Sequence, residues 1–468
     1  MPAAIKQRAA ALYARHLPDS VFSSREIMKM LVPIILDSLS IMMINMLIVA
    51  LISQSGEASV AAVNLVSPII YLIMCLFNSI SAAGTVVVAQ VWGRSGKEQV
   101  SSAAGHVLWL IFAAGAVCCL PFMLFPRPIL TAFYPSAEPL VMEKAVVYLV
   151  GCSFSILAFT IYTGVFCILR GLGESQRCLV LTIIINVSYL LFSFLFINIL
   201  ELDIQGSALA LILARVLGSV SGVVLLFCWK PPVRIRLRDI FSLDVPLLRS
   251  IFHIGMPFCI EQLFASGGSL IMTMFMAPLG TSALAAHSVA NSLMGVIHGA
   301  GNAAGTLSVT VVGRCVGAGE MEAARRYGAG MNWICRILVA AASVVVYPLM
   351  PLLLRLYNPS TEAYGMALHL LVCTLPALLL FWPLSVTLPN TLRAAGDTVF
   401  PSVLSLAAMW IIRVFLGYWM TVPLGLGLMG VWGSMWIEWA VRALCLKIRF
   451  DRRKWDRPAE QPAGSHAG

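Results

Sequence analysis

Apolar runs long enough to cross a bilayer recur along almost the whole chain, and this constrains the fold more than any other feature. A spanning helix takes about 20 residues. Runs between charged or Pro/Gly-rich breaks place spans near 28–53, 61–91, 102–125, 145–169, 179–200, 206–229, 250–277, 283–312, 330–354, 366–391, 400–422 and 427–447. Twelve such spans predict an all-α polytopic membrane protein, because in hydrocarbon every backbone polar group must find its partner within the protein. Composition agrees: 60 % of the residues are apolar and 11 % charged. A soluble domain carries roughly 25 % charged residues, so this chain has too little polar surface to cover a water-exposed globule.

The net charge, 31 − 21 = +10, would raise the question of nucleic acid in a soluble protein. Here the basic residues cluster at the ends of apolar runs, as the positive-inside rule places them. With a cytoplasmic N-terminus, one face receives Lys6, Arg25, Arg94, Arg170, Arg177, Arg234, Arg314, Arg325, Arg393 and the cluster from Lys447 to Arg457, while the other receives only Arg127, Lys144 and Arg355. This predicts an integral plasma-membrane protein with both termini cytoplasmic. The charges scattered through residues 1–24 argue for a cytoplasmic segment rather than a cleaved signal peptide. A polar linker at 230–249 divides the spans into 25–229 and 250–450, and residues 451–468 have the composition of a disordered tail. Cysteines inside spans, such as Cys75, Cys119, Cys167 and Cys259, read as small buried hydrophobes, with no CxxC pair to suggest metal or redox work.

The two halves repeat each other. Pro33-Ile-Ile-Leu-Asp37 sets against Pro257-Phe-Cys-Ile-Glu261, an offset of 257 − 33 = 224, and Asn78 against Asn302 at the same offset. Leu169-Arg170-Gly-Leu-Gly173-Glu174 answers Leu392-Arg393-Ala-Ala-Gly396-Asp397 at 392 − 169 = 223. Six spans return the chain to its starting side, so the repeats run parallel, related by an axis along the membrane normal. Two pseudo-symmetric six-helix lobes with a cleft between them suit alternating access.

Within the spans, ionisable groups are costly and each needs a reason. Asp37 and Glu261, each four residues beyond a proline, are candidates for binding H+ or Na+. A neutral partner is expected beside them: Asn45, Ser269 or a carbonyl freed by the proline. The bland reading is a protonated acid holding a helix interface together. Arg413 and Glu438, with Arg442 one turn later, are expected to form a structural ion pair, since Glu four residues before Arg is the favourable helical order. Asn64, Asn78, Asn291 and Asn302 could line a cavity or bond helix to helix. Tyr71, Phe381 and Trp382 are candidates for an aromatic cleft, against a reading of ordinary packing. Gly173 and Gly396 would let the chain turn sharply. Arg170 and Arg393 are expected to bond helix-end carbonyls or lipid phosphate, giving topology and anchoring.

Taken together, the duplicated Leu-Arg turns with their Gly-acid pairs, LGTSALAAHSVA at 279–290, WPLSVTLPNTLRAAGDT at 382–398 and GVWGSMWIEWAVRALCLKIRF at 430–450 resemble the multidrug and toxic compound extrusion (MATE) transporters, over essentially residues 25–450. The resemblance implies a V-shaped pair of six-helix lobes of bacterial type that exports organic, often cationic, compounds in exchange for H+ or Na+. The implied partners are a small-molecule substrate and membrane lipids, with a monomeric protein, no ATP, no nucleic acid and no cofactor beyond the coupling ion. Two positions depart from the family: Asn45 stands where many members carry an aspartate, and Trp382 where some carry an acid in the tenth span.

A lipid-linked saccharide flippase of the wider superfamily is the alternative; it would want a more basic interior than Arg215, Arg336 and Arg413 offer. No HExxH, GxSxG or Walker-type motif supports an enzyme or an ATP-driven pump.

Overall fold

The computed structural model describes residues 21–52, 57–95, 97–135, 138–228, 245–356 and 360–455; residues 1–20, 229–244 and 456–468, which hold most of the N-terminal segment, linker and tail, lie outside the described residues. The chain is helical throughout, with no strand among the described residues. Its first half forms α1 (Ser24–Ile52), α2 (Glu57–Ser95), α3 (Lys97–Leu124), the short α4 (Pro126–Phe133), α5 (Pro139–Gly171), α6 (Ser175–Ser193) and α7 (Asp203–Val223). The second half forms α8 (Val245–Met276), α9 (Thr281–Gly317), α10 (Met321–Leu356), α11 (Thr361–Leu380), α12 (Trp382–Ala394), α13 (Val399–Ala407), α14 (Gly417–Thr421) and α15 (Gly427–Asp451). Among the described residues, nine helices are long and apolar enough to cross a membrane. Large apolar side chains such as Val117, Val344 and Phe415 are more than two-thirds exposed (71, 73 and 71 %), a surface that water would not tolerate in such amount and that lipid requires.

Two kinds of irregularity interrupt the spans. The tenth is broken at Phe381, where α11 gives way to α12 with Pro383 in its first turn. Three spans loosen into π-helical turns, at Phe194–Ile199, Val224–Cys228 and Ala408–Leu416. Such turns widen the helix by one residue and re-aim the side chains they carry; Arg413 sits in the third.

The helix ends explain themselves locally. At the start of α1, the Ser23 N–H donates to Glu26 Oε2 (2.8 Å) and the Glu26 N–H donates to Ser23 Oγ (3.3 Å), a reciprocal capping box. The C-termini of α5 and α12 are twins. Glu174 N–H donates to Leu169 O (2.9 Å) and Asp397 N–H to Leu392 O (3.0 Å), and each turn passes through a left-handed glycine, Gly173 at φ +79° and Gly396 at φ +94°. Only glycine takes these angles without a Cβ penalty.

The chain divides into two compact units, residues 32–255 and residues 256–468 with the first 31. The divisions fall just ahead of Pro33 and Pro257, inside α1 and α8, rather than in the linker. In the first unit, α5 is the central helix, packed on α2, α3 and α7. Small residues let these helices approach closely: a Cβ placed on Gly151 would come within 2.6 Å of Ala208 Cβ. In the second unit, α9 is central, against α10, α11 and α12. Phe22, just ahead of α1, is also held here. The fully buried Tyr327 hydroxyl accepts the Phe22 N–H and donates to the Phe22 carbonyl (2.9 Å each), with the two rings edge to face at 5.8 Å.

Candidate functional site

The proline-acid segments and the Leu-Arg turns converge, once in each unit. In the first, Asp37 on α1 is buried and its Oδ2 lies 3.3 Å from Arg170 Nη2, in the last turn of α5. In the second, Glu261 on α8 is ion-paired through Oε2 with Arg393 Nη2, in the last turn of α12. The chain separations are 133 and 132 residues, so the two pairs are repeat mates. The charged partner at each acid is thus an arginine, which the expectation of a neutral partner did not include; Ser269 is not seen bonded to Glu261, and the side chain of Asn45 lies outside the described residues. The arginines expected to anchor helix ends also pair with the carboxylates on α1 and α8. The physical reason is direct. A carboxylate and a guanidinium enclosed in the same unit cancel each other's desolvation far better than either could alone.

The two sites are furnished differently. Arg170 lies over the Phe166 ring (4.4 Å to its centroid), and Phe166, Tyr162 and Phe159 stack in succession. Tyr162 Oη is 3.3 Å from Thr182 Oγ1, and the Thr182 hydroxyl faces Asp37. Asp37 Oδ1 is nonetheless buried without a hydrogen-bond partner. In the second unit Arg393 lies over Phe258 (4.5 Å), and no such orphaned oxygen occurs on Glu261. For a cation entering the first site, the oxygens at hand are those of Asp37 and Thr182.

Deeper charges follow a different pattern. Glu438 on α15 lies between two arginines, Arg413 Nε at 3.4 Å from Oε2 and Arg442 Nη1 at 3.1 Å from Oε1. Arg442 also donates to the Ser385 carbonyl (3.3 Å). In the first unit, Arg215 on α7 donates to Ser155 Oγ (2.8 Å) and lies over Phe159 (4.6 Å), with Cys119, Tyr148, Cys152 and Tyr189 around it and no carboxylate in salt-bridge reach among the described residues. With Asp37 and Glu261 each neutralised, the interior of each unit keeps an excess positive charge.

The remaining sequence candidates do not gather into these sites. Asn64, Asn78, Asn291 and Asn302 are exposed along α2 and α9, and Tyr71 is 57 % exposed. The side chain of Asn45 lies outside the described residues. Phe381 is at the helix break. Trp382 is not a cleft residue: it is buried and stacks on His298 at 4.4 Å, against Gly301, where a Cβ would meet the indole at 2.4 Å. His287 accepts the Trp432 indole N–H (3.2 Å), so both histidines are packing residues.

The MatE family profile matches residues 33–195 and again 257–419. Both the starts and the ends of these matches differ by 224, the register of the repeat. The chain belongs to the MatE family. It is 27 % identical to the uncharacterized transporter YisQ of Bacillus subtilis over 86 % of this chain and 89 % of that one. It is 22 % identical to the probable multidrug resistance protein NorM of Thermotoga maritima over 96 % and 97 %. Among solved structures, an outward-facing multidrug resistance MATE transporter of the MOP superfamily superposes with a TM-score of 0.82 at 22 % identity, covering 92 % of this chain and 96 % of that one. A MOP superfamily transporter from Pyrococcus furiosus, described as having a binding pocket of reverse polarity, gives 0.81 at 21 % over the same shares. This MatE chain is therefore an all-α membrane protein with the MATE fold.

Proposed function

We propose that this MatE protein is a secondary antiporter, not an enzyme, that exports organic compounds in exchange for H+ or Na+ by alternating access, with Asp37 as the coupling acid. The observation that carries this is the buried, unpartnered Oδ1 of a carboxylate whose other oxygen holds Arg170. A buried carboxylate oxygen that completes no hydrogen bond, beside a hydroxyl, is a place for a proton or a small cation. Loading it has a consequence elsewhere: protonated Asp37 no longer balances the charge of Arg170, which weakens the hold of α1 on the end of α5 and favours a shift of the guanidinium toward water. That shift links ion binding to a change of conformation. Glu261 and Arg393 then serve as the structural counterpart in the second unit. The multidrug names borne by relatives support export of varied organic substrates. The protein works as a monomer, without ATP, in the plasma membrane with both termini cytoplasmic.

Asp37 and Glu261 are both matched by arginine, so neither offers a free carboxylate to a cationic cargo. Arg215 and the excess over Glu438 favour a second reading, a flippase of lipid-linked saccharide or another lipid carrying an anionic group. Efflux from vesicles separates the two: a cationic dye driven outward by an imposed pH or Na+ gradient supports the antiporter, and transport of only the anionic amphiphile supports the flippase.

A further inference from the structure

At the end of the second unit where α15 finishes, a cavity of about 480 Å³ opens among α10, α12 and α15. Its lining includes four cations, Arg325, Arg326, Arg336 and Lys447, against two acids, Glu322 and Asp451. The acids are already engaged: Asp451 with Lys447 (2.7 Å), and Glu322 with Arg326 (3.8 Å) and Arg453 (3.1 Å). Arg325 and Arg336 have no carboxylate in salt-bridge reach among the described residues, so the cavity presents two uncompensated guanidinium groups.

The rest of the wall is suited to the same kind of ligand. Asn332 Oδ1 accepts the Thr387 hydroxyl (3.1 Å), which turns its amide N–H donors to other use. Trp333 and Phe450 line the cavity, and tryptophan favours the level of lipid headgroups. The cavity also borders the apolar surface. Ile337 follows Arg336 directly and is 44 % exposed, and Leu444 and Ile448, flanking Lys447, are 62 and 42 % exposed. A ligand with a phosphate at one end and acyl chains at the other would meet matching surface at both ends.

We propose that this cavity binds the phosphate headgroup of an anionic phospholipid of the leaflet at the α15 end, the cytoplasmic leaflet by the distribution of basic residues, with its chains against α10 and α15. Basic pockets at this level of a membrane protein recognise anionic lipid by charge and by bidentate guanidinium–phosphate bonds. The inference stands apart from the transport reading, since none of these residues belongs to the Asp37 or Glu261 pairs.

The test uses the full chain in nanodiscs of phosphatidylcholine with or without phosphatidylglycerol, read by thermal midpoint and by lipid adducts retained in native mass spectrometry. Wild type should be stabilised by phosphatidylglycerol and carry it as an adduct. Each basic contact at a membrane surface contributes about a factor of five in affinity, so Arg325→Gln/Arg336→Gln should bind about twenty-five-fold more weakly. Arg452→Gln/Lys454→Gln, which removes the same charge from exposed positions at the same end but outside the cavity, should bind as wild type does. Arg325→Lys/Arg336→Lys, which keeps charge but not the bidentate fork, should fall between and reports on folding. Equal loss in the control pair, no preference of wild type for phosphatidylglycerol, or the same stabilisation by inorganic phosphate in lipid-free detergent would each overturn the proposal.

Discussion

At the scale of single residues, the ion pairs decide what a substitution does. Arg170→Gln leaves Asp37 buried and bare, and breaking a buried pair by removing one partner costs about 3–5 kcal/mol; the thermal midpoint of the purified protein should fall sharply. Asp37→Asn combined with Arg170→Gln removes both charges and should recover most of that loss without recovering gradient-driven efflux. A double variant as unstable as the single one would show that the pair is not the source of the effect. Glu438→Gln is a different case, because it leaves Arg413 and Arg442 facing each other across a neutral amide. It should lower yield and thermal midpoint in detergent while leaving the dependence of transport on the coupling ion intact. Outside the spans, the exposed Glu26 carboxyl is held below its ordinary 4.5, chiefly by the Ser23 backbone N–H and hydroxyl. Since the folded value is depressed, this cap contributes fully above about pH 4.5 and is lost as pH falls through the folded value.

At the scale of elements, the twin turns after α5 and α12 offer a clean test of why glycine stands there. A Cβ on Gly396 would meet nothing within 4 Å, so any cost of Gly396→Ala comes from its backbone angle alone. That cost should be roughly 1–2 kcal/mol. Gly365, inside α11 and equally free of neighbours, has no such angle; Gly365→Ala should be neutral or stabilising by up to ~1 kcal/mol. Equal effects in the two variants would mean that the turn does not depend on the left-handed residue. These turns were legible in the sequence because the glycine-acid pattern occurs twice in register. What was not legible was the reach of Arg170 and Arg393. Each sits more than 130 residues from its carboxylate, and only contact in the folded unit joins them. The signal was present all the same: acids and arginines are both repeat mates, and their separations agree to within one residue. The break at Phe381 did leave a trace, Pro383 in the first turn of α12, whereas the π-helical turn that carries Arg413 contains neither proline nor glycine to mark it.

At the scale of the whole molecule, duplication supplies two similar sites and divergence makes them unequal. Asp37 keeps an oxygen without a partner beside Thr182; Glu261 shows no orphaned oxygen among the described residues. If this inequality matters, the two acids should separate in a transport assay, Asp37→Asn abolishing ion dependence and Glu261→Gln chiefly reducing stability. The direct measurement is efflux of a fluorescent organic compound in everted vesicles under an imposed pH gradient or an imposed Na+ gradient, with wild type and Asp37→Asn present at equal levels and shown to be folded. Wild type should move the compound uphill under one of the two gradients and stop when that gradient is collapsed; Asp37→Asn should do neither. Uphill transport by Asp37→Asn at near wild-type rate would contradict a coupling role for Asp37.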